Sequence, residues 1–267
     1  MQKYKKIFIL SDLHIPFHDV KTLLAIRKCL KKEQPDILVL NGDIMDQYNS
    51  SVFDKQPART QGGLQREFDI AHAVIKFLIS VVPKARIIYL WGNHEYRFWR
   101  QMFKDPNLYS LKAVNFETCL RLKELKIQFE KKAVLLHGIL FKHGIKCGKF
   151  PASNELEAED MTGCSGHAHK LQMFMRNTRE NTYSWVSTGH LADLKQLDYI
   201  HIEENTVNWT QGFCIAYSDG KKVFQTPIPI IKGSFIFNNI EYIATIEDQR
   251  EYDSMIKKLP SIESYYD

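Results

Sequence analysis

Four short apolar runs in this chain each break off into ligand-type residues. Ile7–Leu10 leads to Asp12-Leu13-His14, and Ile37–Leu40 to Gly42-Asp43-Ile44-Met45-Asp46. Ile87–Leu90 leads to Gly92-Asn93-His94-Glu95, and Ile139–Phe141 to His143-Gly144. A fifth motif, Gly166-His167-Ala168-His169, follows downstream. Short aliphatic runs bounded by turn-type residues predict buried strands. Polar residues at strand ends can converge at one edge of a sheet, where open α/β folds place their ligands. The donors are oxygen and nitrogen with no thiolate, a set suited to Mn, Fe, Zn, Ni or Mg-type ions.

The rest of the chain sets this pattern in a mixed α/β frame. Asp19 caps a predicted helix reaching about Lys32, with Leu23, Leu24, Ile26 and Leu30 as its apolar stripe. Gln47 to Gly63 is polar and reads as a long loop. Helices are expected over Leu64–Val82, ended by Pro83, over His94–Lys104, and over Leu108–Lys123. Ser153 is a candidate cap for a short acidic helix over Asn154–Met161. Strands are expected at Ile127–Phe129, Ala133–Leu136 and Ile139–Lys142. After His169 the pattern turns to β: Leu171–Arg176, Tyr183–Ser187, Val207–Tyr217, Lys222–Thr226 and Ser234–Phe237, with Asp219-Gly220 as a hairpin turn. Glu247–Leu259 reads as a last helix. Alternating βα units followed by a β-rich half indicate an α/β fold with two sheets. No linker or repeat divides it, so one domain over residues 1–267 is expected.

Composition excludes several classes. Hydrophobic residues make up 44% of the 267, enough for a real core, and the net charge of +5 is far from a histone-like balance. Cys29, Cys119, Cys147, Cys164 and Cys214 are odd in number and lack C-x-x-C spacing. That argues for free thiols in a reducing compartment. The apolar run after Lys3, Lys5 and Lys6 is too short for a signal peptide. No stretch approaches the ~20 apolar residues of a membrane span, so a soluble cytoplasmic protein with no membrane partner is expected.

The five motifs, in this order, resemble the calcineurin-like metallophosphoesterase superfamily, whose pattern is D-x-H, G-D-x-x-D, G-N-H-[DE], H-G and G-H-x-H. The resemblance covers roughly positions 7 to 190. It implies a two-sheet β-sandwich flanked by helices, a four-layer α/β fold. It also implies two divalent metal ions, manganese first, with Fe, Zn, Ni or Mg as alternatives. Such a pair, ~3.5–4 Å apart, holds a hydroxide and neutralises the phosphate of an ester substrate.

By that resemblance Asp12, His14 and His169 complete one metal site with Asp43. Asn93, His143 and His167 complete the other, again with Asp43 as the bridge. His94 is not a ligand but stands over the substrate phosphate as charge stabiliser and proton donor. Asp46 orients that imidazole. Asn93 and Arg97 are the candidate substrate-binding residues. Arg97, Arg100 and Lys104 fall at i, i+3 and i+7 of the predicted helix and so share one face.

The remaining histidines are weaker candidates. His137-Gly138 repeats the His-Gly pair but falls at a hairpin turn. His18 lies near a helix cap, His190 ends a strand and could line the cleft, and His72 and His201 lack context. The 47–63 loop, with Tyr48, Phe53, Lys55 and Arg59, is a candidate for nucleotide recognition. The chain lacks the Arg-Gly that follows the second aspartate in Ser/Thr protein phosphatases. It is also too short for the coiled-coil insertion of double-strand-break repair nucleases. The nearest overall likeness is to small stand-alone phosphoesterases of bacteria and their phages. The expected reaction is therefore hydrolysis of a phosphate monoester or diester, with a nucleotide-like substrate favoured. A nuclease and a non-catalytic protein-binding scaffold are the alternatives.

Overall fold

The computed structural model describes residues 4–197 and 208–266. Strands β1 (Lys5–Leu10), β2 (Ile37–Asn41), β3 (Arg86–Leu90) and β4 (Gln128–Glu130) run parallel in one sheet. Between them the chain forms helices α1 (Val20–Glu33), α2 (Gly63–Ile79), α3 (Asn93–Met102), α4 (Pro106–Ser110) and α5 (Phe116–Cys119). A second sheet holds β5 (Val134–Leu136), β6 (Ile139–Phe141), β7 (Gly163–Ser165), β8 (Gln172–Asn177) and β9 (Thr182–Ser187), in the order β5-β6-β7-β9-β8. Helix α6 (Pro151–Glu159) packs on its outer side. The chain then returns through β10 (Gly212–Ser218) and β11 (Val223–Pro229), which complete the first sheet in the order β11-β10-β1-β2-β3-β4. A hairpin, β12 (Ser234–Phe237) and β13 (Ile240–Ile243), and helix α7 (Ile246–Ile256) follow.

Why two sheets face each other is written in β1. Its residues alternate faces, yet Ile7 to Leu10 are all fully buried. Ile7 and Ile9 join Ile37, Val39, Ile88 and Leu90 against Ile139, Phe141, Cys164 and Val186 of the second sheet. Phe8 and Leu10 point the other way, into a core with Leu38, Leu40, Ile87 and Tyr89 and the helices. A sheet apolar on both faces needs cover on both. The result is the sandwich flanked by helices that the sequence suggested. No helix among the described residues is long and apolar enough to cross a membrane.

Several expected elements differ in detail. The helix expected over 108–123 is broken into α4, a 3-10 turn at Lys112–Val114, and α5. Asn115 interrupts it: its side chain accepts the Glu117 N–H at 2.9 Å and caps a new helix. Ser153 is not a cap, because Pro151 starts α6 two residues earlier with its φ already fixed. Ser153 instead hydrogen-bonds Glu157 one turn on. Helix α2 stops at Ile79, and α3 stops at Met102. The strand expected from Val207 begins at Gly212, and Val207 itself lies outside the described residues. The loop after Asp46 is partly folded, with 3-10 turns at Tyr48–Ser50 and Pro57–Arg59.

Candidate metal centre

All five motifs lie at one edge of the sandwich, just past the C-terminal ends of β1, β2, β3, β6 and β7. The loops after β1 and β2 are stitched together by backbone. Asp12 N–H donates to the Gly42 carbonyl at 3.1 Å, and His14 N–H to the Asp43 carbonyl at 3.0 Å. Asp12, His14, Asp43, His167 and His169 all adopt left-handed backbone, with φ of 54°, 53°, 49°, 67° and 55°. That region costs a non-glycine residue about 1 kcal/mol or more. Strain repeated at so many ligand-type residues marks a site whose side-chain convergence outweighs backbone comfort. Two glycines leave room for the carboxylates. A Cβ on Gly92 would sit 2.1 Å from Asp43 Oδ1, and one on Gly166 would sit 2.4 Å from Asp12 Oδ2.

The side chains form two clusters. Asp12, His14 and His169 bring one donor atom each within ligand range, and Asp43, His143 and His167 do the same. In the first, His169 Nε2 is 3.1 Å from Asp12 Oδ1 and 3.2 Å from His14 Nε2. In the second, His143 Nε2 is 3.1 Å from Asp43 Oδ2 and 3.2 Å from Asn93 Oδ1, which lies 2.8 Å from His167 Nδ1. Around an ion with bonds of about 2.1 Å, ligands at right angles stand roughly 3 Å apart. The observed edges match that spacing. Facing ring nitrogens and carboxylates at 3 Å are otherwise hard to satisfy without shared protons, so the donor set fits divalent cations. A third grouping, His14, Asp43 and His94, connects the two clusters.

Hydrogen bonds behind the cluster fix which nitrogens face inward. His143 Nδ1–H donates to the Asn41 carbonyl at 3.0 Å, and His14 Nδ1–H donates to Asp46 Oδ2 at 3.1 Å. Each leaves Nε2 as the inward donor atom. Burial pushes the Asp12 pKa upward, but His169 and His143 overcome it and hold it at about 2. Burial opposes a charge on His143, yet Asp43 and Asp12 raise its pKa to about 10. His14 is lowered, by burial and then by His94. The cluster therefore keeps its carboxylates ionised and balances them with positive charge, a role a bound cation would take over.

His94 and Asp46 also meet here. His94 Nδ1–H donates to the Asp46 carbonyl at 2.8 Å, and Nδ1 lies 3.4 Å from the Asp46 carboxylate. His94 Nε2 is 3.8 Å from Asp43 Oδ2. Arg97 turns inward, with Nη2 3.0 Å from His94 Nε2 and Nη1 donating to the Asp46 carbonyl at 3.1 Å. Lys104 drops out of the expected stripe, because it lies beyond the end of α3, whereas Arg100 stays on the helix one turn after Arg97.

Other expectations are redistributed. The 47–63 loop spends its polar groups on itself and its neighbours. Tyr48 is buried and its hydroxyl accepts the Gln56 N–H at 2.8 Å, and Lys55 donates to the Ser51 carbonyl at 2.8 Å. Arg59 donates to the Gln196 carbonyl and lies over the Phe17 ring. Phe53 stays exposed. His190 sits beside His169, with ring centroids 5.6 Å apart, and its pKa is lowered to about 3 by burial and by His169. His18 accepts from the Tyr252 hydroxyl at 2.8 Å, and His72 hydrogen-bonds the Leu120 carbonyl. His137 lies in the β5–β6 turn, and His201 is outside the described residues.

The residue that sequence reasoning missed is Glu95. Its buried carboxylate accepts from the backbone N–H groups of Asp43, Ile44, Met45 and Gly92, at 3.0, 2.8, 3.0 and 2.7 Å. The Tyr89 hydroxyl adds a contact of 2.7 Å. Glu95 thus ties the end of β3 to the loop carrying Asp43. Its position inside the third motif was the available signal.

Comparison with known proteins places this geometry among relatives. The family model for calcineurin-like phosphoesterase matches residues 5–209. The chain is 27% identical over 260 residues to "Gene 54 protein" of Mycobacterium phage D29, covering 86% of this chain and 96% of that protein. It is 26% identical over 255 residues to its counterpart in Mycobacterium phage L5, with the same coverage. Among solved structures, Vps29 of Chaetomium thermophilum aligns with a TM-score of 0.47 and 13% identity, over 90% of this chain and 98% of that one. Vps29 of Cryptosporidium parvum aligns with a TM-score of 0.45 and 13% identity, over 91% and 100%.

Proposed function

The chain belongs to the calcineurin-like phosphoesterase family, and from that premise we propose that it hydrolyses phosphate esters with the help of two divalent cations. The carrying observation is the position of Asp43. It belongs to the cluster with His143 and His167 and, through the grouping with His14 and His94, reaches the cluster of Asp12 and His169. A carboxylate so placed suits a bridge between two ions. Asp12, His14, His169 and Asp43 would hold one cation, and Asn93, His143, His167 and Asp43 the other. Bound there, the pair supplies Lewis acidity to the phosphate oxygens and acidifies water. The all oxygen-and-nitrogen donor set suits Mn²⁺ first, with Fe, Zn, Ni or Mg as alternatives.

The chain's own side chains do the rest. Hydrolysis forms a bond from water oxygen to phosphorus and breaks the bond to the leaving oxygen, which must gain a proton. His94 is placed to supply it. Burial disfavours its charged form, but Asp43 and Asp46 outweigh that and raise its pKa. Its Nε2 now accepts from Arg97. A substrate phosphate drawing the guanidinium away would free Nε2 to take up a proton from water, which its raised pKa favours, and to pass that proton to the leaving oxygen. Arg97 would thus bind substrate and release the acid in one movement. Asn93 is exposed at the mouth of the second cluster, where a phosphate oxygen would arrive.

A nucleotide-like ester is the favoured substrate, given the basic excess of the chain and the arginine at the site. The test runs nitrophenyl phosphate and bis(nitrophenyl) phosphate in parallel with Mn²⁺. Turnover of at least one, abolished by a chelator, is expected. A metal-loaded chain that hydrolyses neither these nor a nucleotide diester would remove the catalytic reading and favour a binding scaffold.

A further inference from the structure

A cleft of about 320 Å³ opens beside the second cluster and shares Asn93 and His143 with it. Trp91 and Tyr96 line it from around the start of α3, and Lys131 and Lys132 from the β4–β5 turn. Asn93 is exposed and His167 half-buried, whereas Asp12, His14 and Asp43 are buried. The metal centre therefore opens to solvent on this side, and the cleft continues from that opening.

Its lining has a definite chemistry. No carboxylate lines it among the described residues. Lys142, which also lines it, is held by Glu155 at 2.8 Å and Glu159 at 2.7 Å, so its charge is already balanced. Lys131 and Lys132 have no carboxylate partner among the described ion pairs, and both are exposed. Tyr96 is 41% exposed, and Trp91 is half-buried with its ring 4.9 Å from that of Trp99 and 5.4 Å from that of Tyr96. Trp91 is thereby braced from behind. Inorganic phosphate or a small alkyl ester would leave this aromatic wall unused. A planar, apolar group attached to an anion would use both the wall and the lysines. The volume lies at the lower end of small-ligand sites, ~300–1,000 Å³.

We propose that this cleft is a nucleobase subsite, receiving the base and sugar of a nucleotide whose phosphate lies at Asn93 and His143. The assignment rests on the phosphoesterase reading of the neighbouring clusters. It locates nucleotide recognition on the α3 and β4–β5 side of the centre rather than on the 47–63 loop. Aromatic faces stack on bases with little regard to sequence. The subsite therefore selects nucleotides over plain esters more strongly than it selects among bases.

The test is binding by calorimetry to the full chain loaded with Mn²⁺. Adenosine 5′-monophosphate is compared with ribose 5-phosphate and inorganic phosphate. The nucleotide is expected to bind about tenfold or more tighter than ribose 5-phosphate, the size of one stacking contact. Tyr96→Ala should erase most of that advantage and Tyr96→Phe should retain it. Lys132→Ala should weaken both sugar phosphates. In hydrolysis, Tyr96→Ala should lower the ratio of kcat/KM for a nucleotide nitrophenyl diester over bis(nitrophenyl) phosphate by about tenfold. Equal binding of the nucleotide and ribose 5-phosphate would overturn the proposal. So would an advantage untouched in folded Tyr96→Ala, shown by an unchanged circular dichroism spectrum. A chain that binds the nucleotide selectively but hydrolyses nothing would keep the subsite and refute the phosphoesterase reading instead.

Discussion

Asp46 lies 3.1 Å from Nδ1 of His14 and 3.4 Å from Nδ1 of His94, so one carboxylate serves the imidazole of a proposed metal ligand and the proposed proton donor together. Asp46→Asn should therefore carry two defects. Calorimetric titration should show Mn²⁺ affinity down about 10–100-fold, the usual cost of losing a partner behind a ligand, and turnover of the reloaded protein should also fall. Unchanged affinity would confine Asp46 to His94. His94→Ala separates the effects from the other side. It should retain bound metal and lose about 10²–10⁴ in rate on esters with poor leaving groups. The loss should be smaller with nitrophenolate, which needs little protonation. Near-normal rates on poor leaving groups would end the proposed role. Glu95 is a different kind of residue. Glu95→Gln replaces an acceptor oxygen with an NH₂ group facing backbone N–H donors. A loss of about 3 kcal/mol or more in urea unfolding is expected. A loss below about 1 kcal/mol would mean the loop holds Asp43 without it.

At the scale of elements, α7 closes over the start of α1 through a buried pair, Tyr252 donating to His18 at 2.8 Å. Burial lowers the His18 pKa from 6.5 to about 4, with Asp19 opposing. A histidine kept neutral in the fold contributes full stability above pH 6.5. As pH falls from 6.5 to 4 the unfolded chain takes up the proton first, and stability is lost, on the order of 2–3 kcal/mol from this group. His18→Gln should flatten that part of the stability–pH profile, and an identical slope in the variant would exclude His18 as its source. Elements like these differed in how far the chain announced them. The strands β1, β2, β3 and β6 were legible because short apolar runs, four residues long in the first three and three in β6, have few alternatives. Helices α4 and α5 were not read separately, because the apolar spacing of 108–123 runs across an interruption set by one Asn115 side chain. The β12–β13 hairpin was half seen: Ile240–Ile243 alternates inner and exposed positions, but Ile243 is apolar at an exposed one, so the residue types hide the alternation. Four of the five motifs were legible as strand-end residues, whereas the fifth follows β7, a strand that no apolar run announced. Glu95 escaped because its role depends on amides 50 or so positions away.

For the whole molecule, two sheets and their helices bring residues from Asp12 to His169 to one edge, and the account stands on what that edge holds. Asp43 stands in one cluster and reaches the other through its grouping with His14 and His94, and the proposed hydrolysis needs a cation at each. The direct test strips the chain with chelator and returns Mn²⁺ in measured increments. Bound metal is read by elemental analysis and the rate of diester hydrolysis is followed at each step. The rate should be negligible without metal, should rise as metal binds, and should level off at two bound ions per chain. Asp43→Asn should fall short of that occupancy at the same free Mn²⁺. Saturation at one ion per chain, or hydrolysis indifferent to metal content, would contradict the account.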